Sequence, residues 1–124
     1  MVDAARGGQS GALTQQVAST EGDPVLSEVV RRLVEEFHPQ RVYLFGSRGR
    51  GDAREDSDYD LMLVVEGRVG AGLEMERRAH NVLAGLSISK DVVVMTSDYF
   101  DWMLGAAASL PSTVRREGRL LYAT

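Results

Sequence analysis

Asp58 and Asp60 flank Tyr59 at the mouth of an apolar run, in the stretch DSDYDLMLVV. In an extended chain alternate side chains share a face, so both carboxylates point the same way. Two adjacent carboxylates each raise the free energy of the other's charged form. A hard divalent cation bound through oxygen offsets that cost. The pair Gly46-Ser47 stands earlier in the chain, with ten residues between Ser47 and Asp58. Glycine lets backbone approach a phosphate closely, the serine hydroxyl adds a donor, and a helix starting there favours an anion at its N-terminus. Arg48 and Arg50 supply charge-assisted contacts to phosphate oxygens. Arg48 lies nearer the turn and is the better phosphate candidate, with Arg50 open to a protein partner. One end of the stretch thus suits phosphate and the other Mg²⁺, the outline of a nucleoside-triphosphate site.

A third carboxylate, Asp91, opens the next apolar run, DVVVMT. A strand there, lying beside the one that begins at Tyr59, brings Asp91 to the same end of a sheet. Three carboxylates can hold two metals for in-line phosphoryl or nucleotidyl transfer.

The elements that must position these residues are legible as a succession of periods. Asp23-Pro24 is a helix-start signal, and apolar residues from Val25 to Phe37 recur at helical spacing until Pro39 ends the pattern. His38 reads as a helix-end residue. Arg41–Phe45 is a first strand, Gly46–Ser57 the phosphate loop, and Tyr59–Glu66 a second strand. The run LMLVV is apolar on both faces, so both are expected to be covered. Tyr59, pointing away from its two neighbours, is expected to pack in the core. Asp52, Glu55 and Asp56 read as solvated loop charges. Gly67 to Gly72 breaks the pattern before a helix from about Leu73 to Leu86, with Leu73, Met75, Ala79, Val82, Leu83 and Leu86 inward and His80 on a solvated face. Asp91–Thr96 is a third strand. Ser97 caps a helix through about Ala108, whose Tyr99, Phe100, Trp102, Met103 and Leu104 are expected in the core. Pro111-Ser112 starts a last helix, Gly118 ends it, and Leu120–Tyr122 closes the sheet. Residues 1–22, rich in Gly, Ala, Ser, Thr and Gln without periodicity, read as a flexible N-terminal arm, and residues 23–124 as a single domain. The fold class is α+β, a small mixed β-sheet with helices packed on it.

Gly46-Ser47, ten residues, then Asp58-Tyr59-Asp60 resembles the G-S-x10-D-x-D signature of the polymerase-beta-like nucleotidyltransferases. Within that superfamily, FGSRGRGDAREDSDYDL is similar to the minimal nucleotidyltransferases of bacteria and archaea, and the ending VRREGRLLY resembles their closing helix–turn–strand. The likeness spans roughly residues 25 to 122. It implies Asp58, Asp60 and Asp91 as catalytic metal ligands, Mg²⁺ in a two-metal site, and ATP as the nucleotide. Gly49 departs from the family pattern, where a slightly larger residue is usual, and is expected to loosen the loop.

Such domains are commonly antitoxins paired with a helical RNase toxin of the HEPN family. The resemblance therefore implies transfer of AMP from ATP to a protein acceptor, a HEPN-type toxin. The chain ends after the catalytic core, so the acceptor surface is expected from a partner or a second copy, as a hetero-oligomer or a homodimer. Two rivals differ in class. One is an antitoxin acting by binding and occlusion, anchored by Trp102, Tyr99 and Phe100. The other is a small-molecule nucleotidyltransferase, which usually carries a second domain.

Composition limits the rest. At 124 residues and 44% hydrophobic content the chain buries one modest core. A net charge of −4 without a basic tract argues against a long nucleic-acid groove, although arginines cluster at 48, 50, 54 and at 115, 116, 119. With no cysteine, disulfides and thiolate ligands are excluded. No run has the length of a membrane span or a signal peptide, so a cytoplasmic location is expected.

Overall fold

The structure, a computed structural model, describes residues 20, 22–67 and 72–124. Apart from Thr20 and Gly22, the expected N-terminal arm lies outside the described residues. So do residues 68–71, within the predicted break between Gly67 and Gly72.

Helix α1 (Pro24–Phe37) begins as its sequence dictates. The Asp23 carboxylate accepts a hydrogen bond from the Leu26 N–H at 3.0 Å, and Pro24 occupies the first turn. It ends at His38, in the left-handed region at φ 46°, whose N–H bonds to the Val34 carbonyl. Leu26, Val29 and Leu33 form its buried stripe.

Four strands follow: β1 (Arg41–Phe45), β2 (Tyr59–Val65), β3 (Lys90–Thr96) and β4 (Arg119–Ala123). They form one mixed sheet in the order β3-β2-β1-β4, with β1 antiparallel to β2 and β4, and β2 parallel to β3. The parallel pair needs a crossover, to which α3 (Gly72–Val82) belongs. Both faces of β2 are covered. Tyr59, Leu61, Leu63 and Val65 pack with Leu26, Val29 and Leu33 of α1 and Ala79 of α3. Met62 and Val64 pack on the opposite face with Tyr43, with Phe100 of α4 (Ser97–Met103) and with Val114 of α5 (Leu110–Glu117). The chain is thus an α+β fold, a mixed sheet between two helical layers. Among the described residues no helix is long and apolar enough to cross a membrane.

Several details depart from the sequence reading, among them Trp102, expected in the core and 73% exposed. Leu73, expected inward, is 82% exposed. Ala79 and Leu83, four apart, lie on the inner face with Met75 packed against it, and Leu73 sits two residues before Met75, about 200° away round the helix. The helix ends at Val82 rather than near Leu86, and Gly85 at φ 90° turns the chain beyond it. Helix α4 is capped by Thr96, not Ser97, and stops at Met103 instead of Ala108. The Ser109 hydroxyl donates to the Met103 carbonyl at 2.7 Å, and the Ser112 hydroxyl reaches the Leu104 and Ala106 carbonyls. Those bonds satisfy acceptors that a longer helix would have paired internally.

Candidate active site

The sheet topology brings the separated motifs to one end. Because β2 and β3 run parallel from the same edge, Asp60 and Asp91 are direct register partners. Because β1 runs the other way, its last residue, Phe45, pairs with Asp60. Gly46 therefore leaves β1 beside the carboxylate. Its φ is +67°, and a Cβ added there would collide with Asp60 Oδ2. Only glycine combines that backbone conformation with so close a neighbour. From Gly46 the chain enters a short helix, α2 (Gly46–Arg50), so the Gly46-Ser47 backbone lies in its first turn.

The electrostatics mark the same place. Burial pushes the Asp60 carboxyl above the ordinary carboxylate range, and the charges of Asp58 and Asp91 push it further, with Arg50 acting in opposition. All three carboxylates thus share one neighbourhood, with Asp58 and Asp91 exposed and Asp60 half-buried. Crowded, hard oxygen donors fit a divalent cation such as Mg²⁺ in type. Among the described residues, however, no three acidic or histidine side chains close into a metal cage.

The two arginines are placed differently. Arg50, exposed, lies 3.4 Å from an Asp52 oxygen, and its charge acts on Asp60. Arg48 instead reaches the loop leading to Asp58. Its Nε donates to the Ser57 carbonyl at 3.0 Å and its Nη2 to the Glu55 carbonyl at 3.1 Å, while its guanidinium lies 4.0 Å above the Tyr59 ring. Tyr59 is buried as expected, and its hydroxyl donates to the carboxylate of Asp23, the cap of α1, at 3.3 Å. Burial, and then the Asp23 charge, raise the tyrosine pKa.

A family model described as a nucleotidyltransferase domain matches residues 26–117. The chain belongs to the nucleotidyltransferase-domain family. No curated protein matches it. Among solved structures, a toxin–antitoxin crystallised with AMP-PNP is 22% identical with a TM-score of 0.51, over 79% of this chain and 73% of that one. A candidate nucleotidyltransferase from Sulfolobus solfataricus is 21% identical with a TM-score of 0.50, over 86% of this chain and 93% of the other. A variant of the toxin–antitoxin MntA-HpeT is 19% identical with a TM-score of 0.50, over 79% and 73%. At such identities the likeness is one of fold.

Within this nucleotidyltransferase domain, Gly49 does the opposite of loosening the loop. It is buried in α2, where a Cβ would stand 2.5 Å from the Leu44 carbonyl oxygen and 3.4 Å from Gly118 Cα. The absent side chain lets α2 seat on β1 and against the end of α5. Two contacts beside the site carried no signal in the sequence. Asp23 was legible as a helix cap but not as a partner of Tyr59, 36 residues away. Gly118 was legible as a helix end but not as the floor under Gly49.

Proposed function

We propose that this nucleotidyltransferase transfers AMP from ATP to a protein acceptor, a helical HEPN-type toxin, and acts as its antitoxin in the cytoplasm, with residues 23–124 as the working unit. The reading is carried by the convergence of the Gly46-Ser47 turn with Asp60 and Asp91 at one end of the sheet. The fold shared with a toxin–antitoxin crystallised with AMP-PNP supports both the nucleotide and the partner.

In this reading the first-turn N–H groups of α2 and the Ser47 hydroxyl receive the outer phosphates, with Arg50 as a further cationic contact. Asp58, Asp60 and Asp91 would hold Mg²⁺, which when bound neutralises charge on the triphosphate. Asp91 assists removal of the proton from the attacking hydroxyl. The acceptor oxygen bonds to the α-phosphorus as the bond to the bridging oxygen breaks, and pyrophosphate leaves. Most of the rate enhancement comes from positioning and electrostatics.

The test is incubation with Mg²⁺ and α-labelled ATP, alone and with a helical protein encoded beside this chain, against an Asp58→Ala/Asp60→Ala control. Label on the partner with the wild type only is the expected result, and its absence refutes adenylylation. One observation favours a second reading, neutralisation by binding alone. Trp102 is 73% exposed and forms a tilted pair with Tyr99 at 6.0 Å, an aromatic surface suited to a partner. Phe100, fully buried, is withdrawn from that role. If the single variant Asp58→Ala still binds and still neutralises the partner, occlusion is the mechanism.

A further inference from the structure

We propose that Arg48 is a positioning residue, tying the turn at Gly46-Ser47 to the segment that carries Asp58 and so fixing where that carboxylate stands. Asp58 itself is exposed and precedes β2, outside the ladder that holds Asp60 and Asp91 in register. The sheet holds it from one side only, through the Tyr59 N–H, which bonds to the Ser89 carbonyl at 2.9 Å. Both its neighbours, however, are held by one guanidinium. The Ser57 carbonyl accepts from Arg48 Nε, and the Tyr59 ring lies under the same planar group. A second donor, Nη2, binds the Glu55 carbonyl and draws in the loop one step earlier.

The anchor at each end is rigid. Tyr59 is buried and its hydroxyl bonds to the Asp23 cap of α1. Arg48 sits in α2, seated closely on β1 through Gly49. The other end of the loop returns to the same helix, where the Gly51 and Asp52 N–H groups both bond to the Ser47 carbonyl at 3.0 Å. Only arginine offers two donors in a fixed fork together with a flat face for stacking. Lysine keeps the charge but provides one mobile ammonium.

This inference rests on the reading that Asp58 serves the nucleotide reaction. Amide hydrogen exchange and binding of Mn²⁺ alone, followed by its paramagnetic signal, are measured on the full chain as wild type, Arg48→Lys and Arg48→Gln. ATP affinity without divalent metal is measured in parallel. Protection at Leu44 and Leu61 reports the core; if the glutamine variant loses it, the lysine variant decides. The expected result is exchange at residues 54–58 at least about ten-fold faster and Mn²⁺ affinity at least about ten-fold weaker in both variants, with metal-free ATP affinity unchanged. Unchanged Mn²⁺ affinity overturns the proposal, whether or not the loop loosens. A loss confined to ATP affinity also overturns it, and makes Arg48 a direct phosphate ligand. Wild type that binds no Mn²⁺ removes the metal reading itself, and the positioning role with it.

Discussion

Gly46 and Asp60 form the tightest constraint in the site, because the carboxylate occupies the space that any side chain at position 46 would need. Gly46→Ala combines a left-handed alanine, costing about 1–2 kcal/mol, with displacement of Asp60. We expect activity to fall on the order of 100-fold, since misplacement by about 1 Å carries a loss of that size; AMP-transfer assays and thermal melts measure the two effects separately. Asp60 also makes the folded chain hold more protons than the unfolded one between 3.8 and its raised native pKa. Stability therefore falls as pH rises through that interval. Asp60→Asn removes the penalty. In EDTA the variant should melt above wild type at pH 7, the gap should close as pH falls below 3.8, and Mg²⁺ should stabilise the wild type alone. Equal melting points at pH 7 would contradict this account.

Helix α2 is too short to be stable alone and depends on its seat. Gly49→Ala forces a methyl group to within 2.5 Å of the Leu44 carbonyl oxygen, so α2 must lift or β1 must yield. Overpacking of this kind costs about 1–3 kcal/mol, and urea unfolding should register it as a lower midpoint at unchanged slope. A gain in stability, as alanine's helix propensity alone would give, would show that the helix moves freely. Helix α4 offers a contrast within three residues. Phe100 stacks on Tyr43 at 5.7 Å beneath Arg41 and is fully buried, whereas Trp102 faces outward. Phe100→Ala is expected to cost about 3–5 kcal/mol, while Trp102→Ala should stay within about 0.5 kcal/mol of wild type. Chemical denaturation of both variants checks the pair, and a large loss from Trp102→Ala would mean that its ring is covered in solution.

The whole molecule is a sheet with two helical layers whose carboxylates gather where two parallel strands begin and one antiparallel strand ends. Isolated motifs would have no such meeting point: Gly46 and Asp60 are 14 positions apart, and Asp91 lies 31 beyond Asp60. The mixed topology makes them neighbours, as Phe45 opposite Asp60 and Asp60 opposite Asp91. Apolarity alone does not fix that register, because a one-residue shift would exchange two apolar faces; the different side chains packed on each face do, and a shift would carry Asp60 out of line with Phe45 and Asp91.

The sequence by itself determined what local physics encodes. The Asp23-Pro24 start, the His38 end and the residue range of β1 follow from capping and periodicity. The spacing from Gly46-Ser47 to Asp58 and Asp60 was enough to name the nucleotide chemistry that family membership then supports. Helix phase was less secure: one apolar stripe tolerates several placements of its first residue, which is how Leu73 was misassigned. Tertiary structure alone decided contacts between distant residues. Tyr59 meets Asp23 across 36 positions, Gly49 approaches Gly118, and Arg48 meets Ser57 and Tyr59. No sequence period encodes these meetings, because close approach depends on the shapes of two segments at once. Charge, spacing and periodicity are carried by one segment alone and can be read in the sequence; the fit between segments exists only in the folded chain.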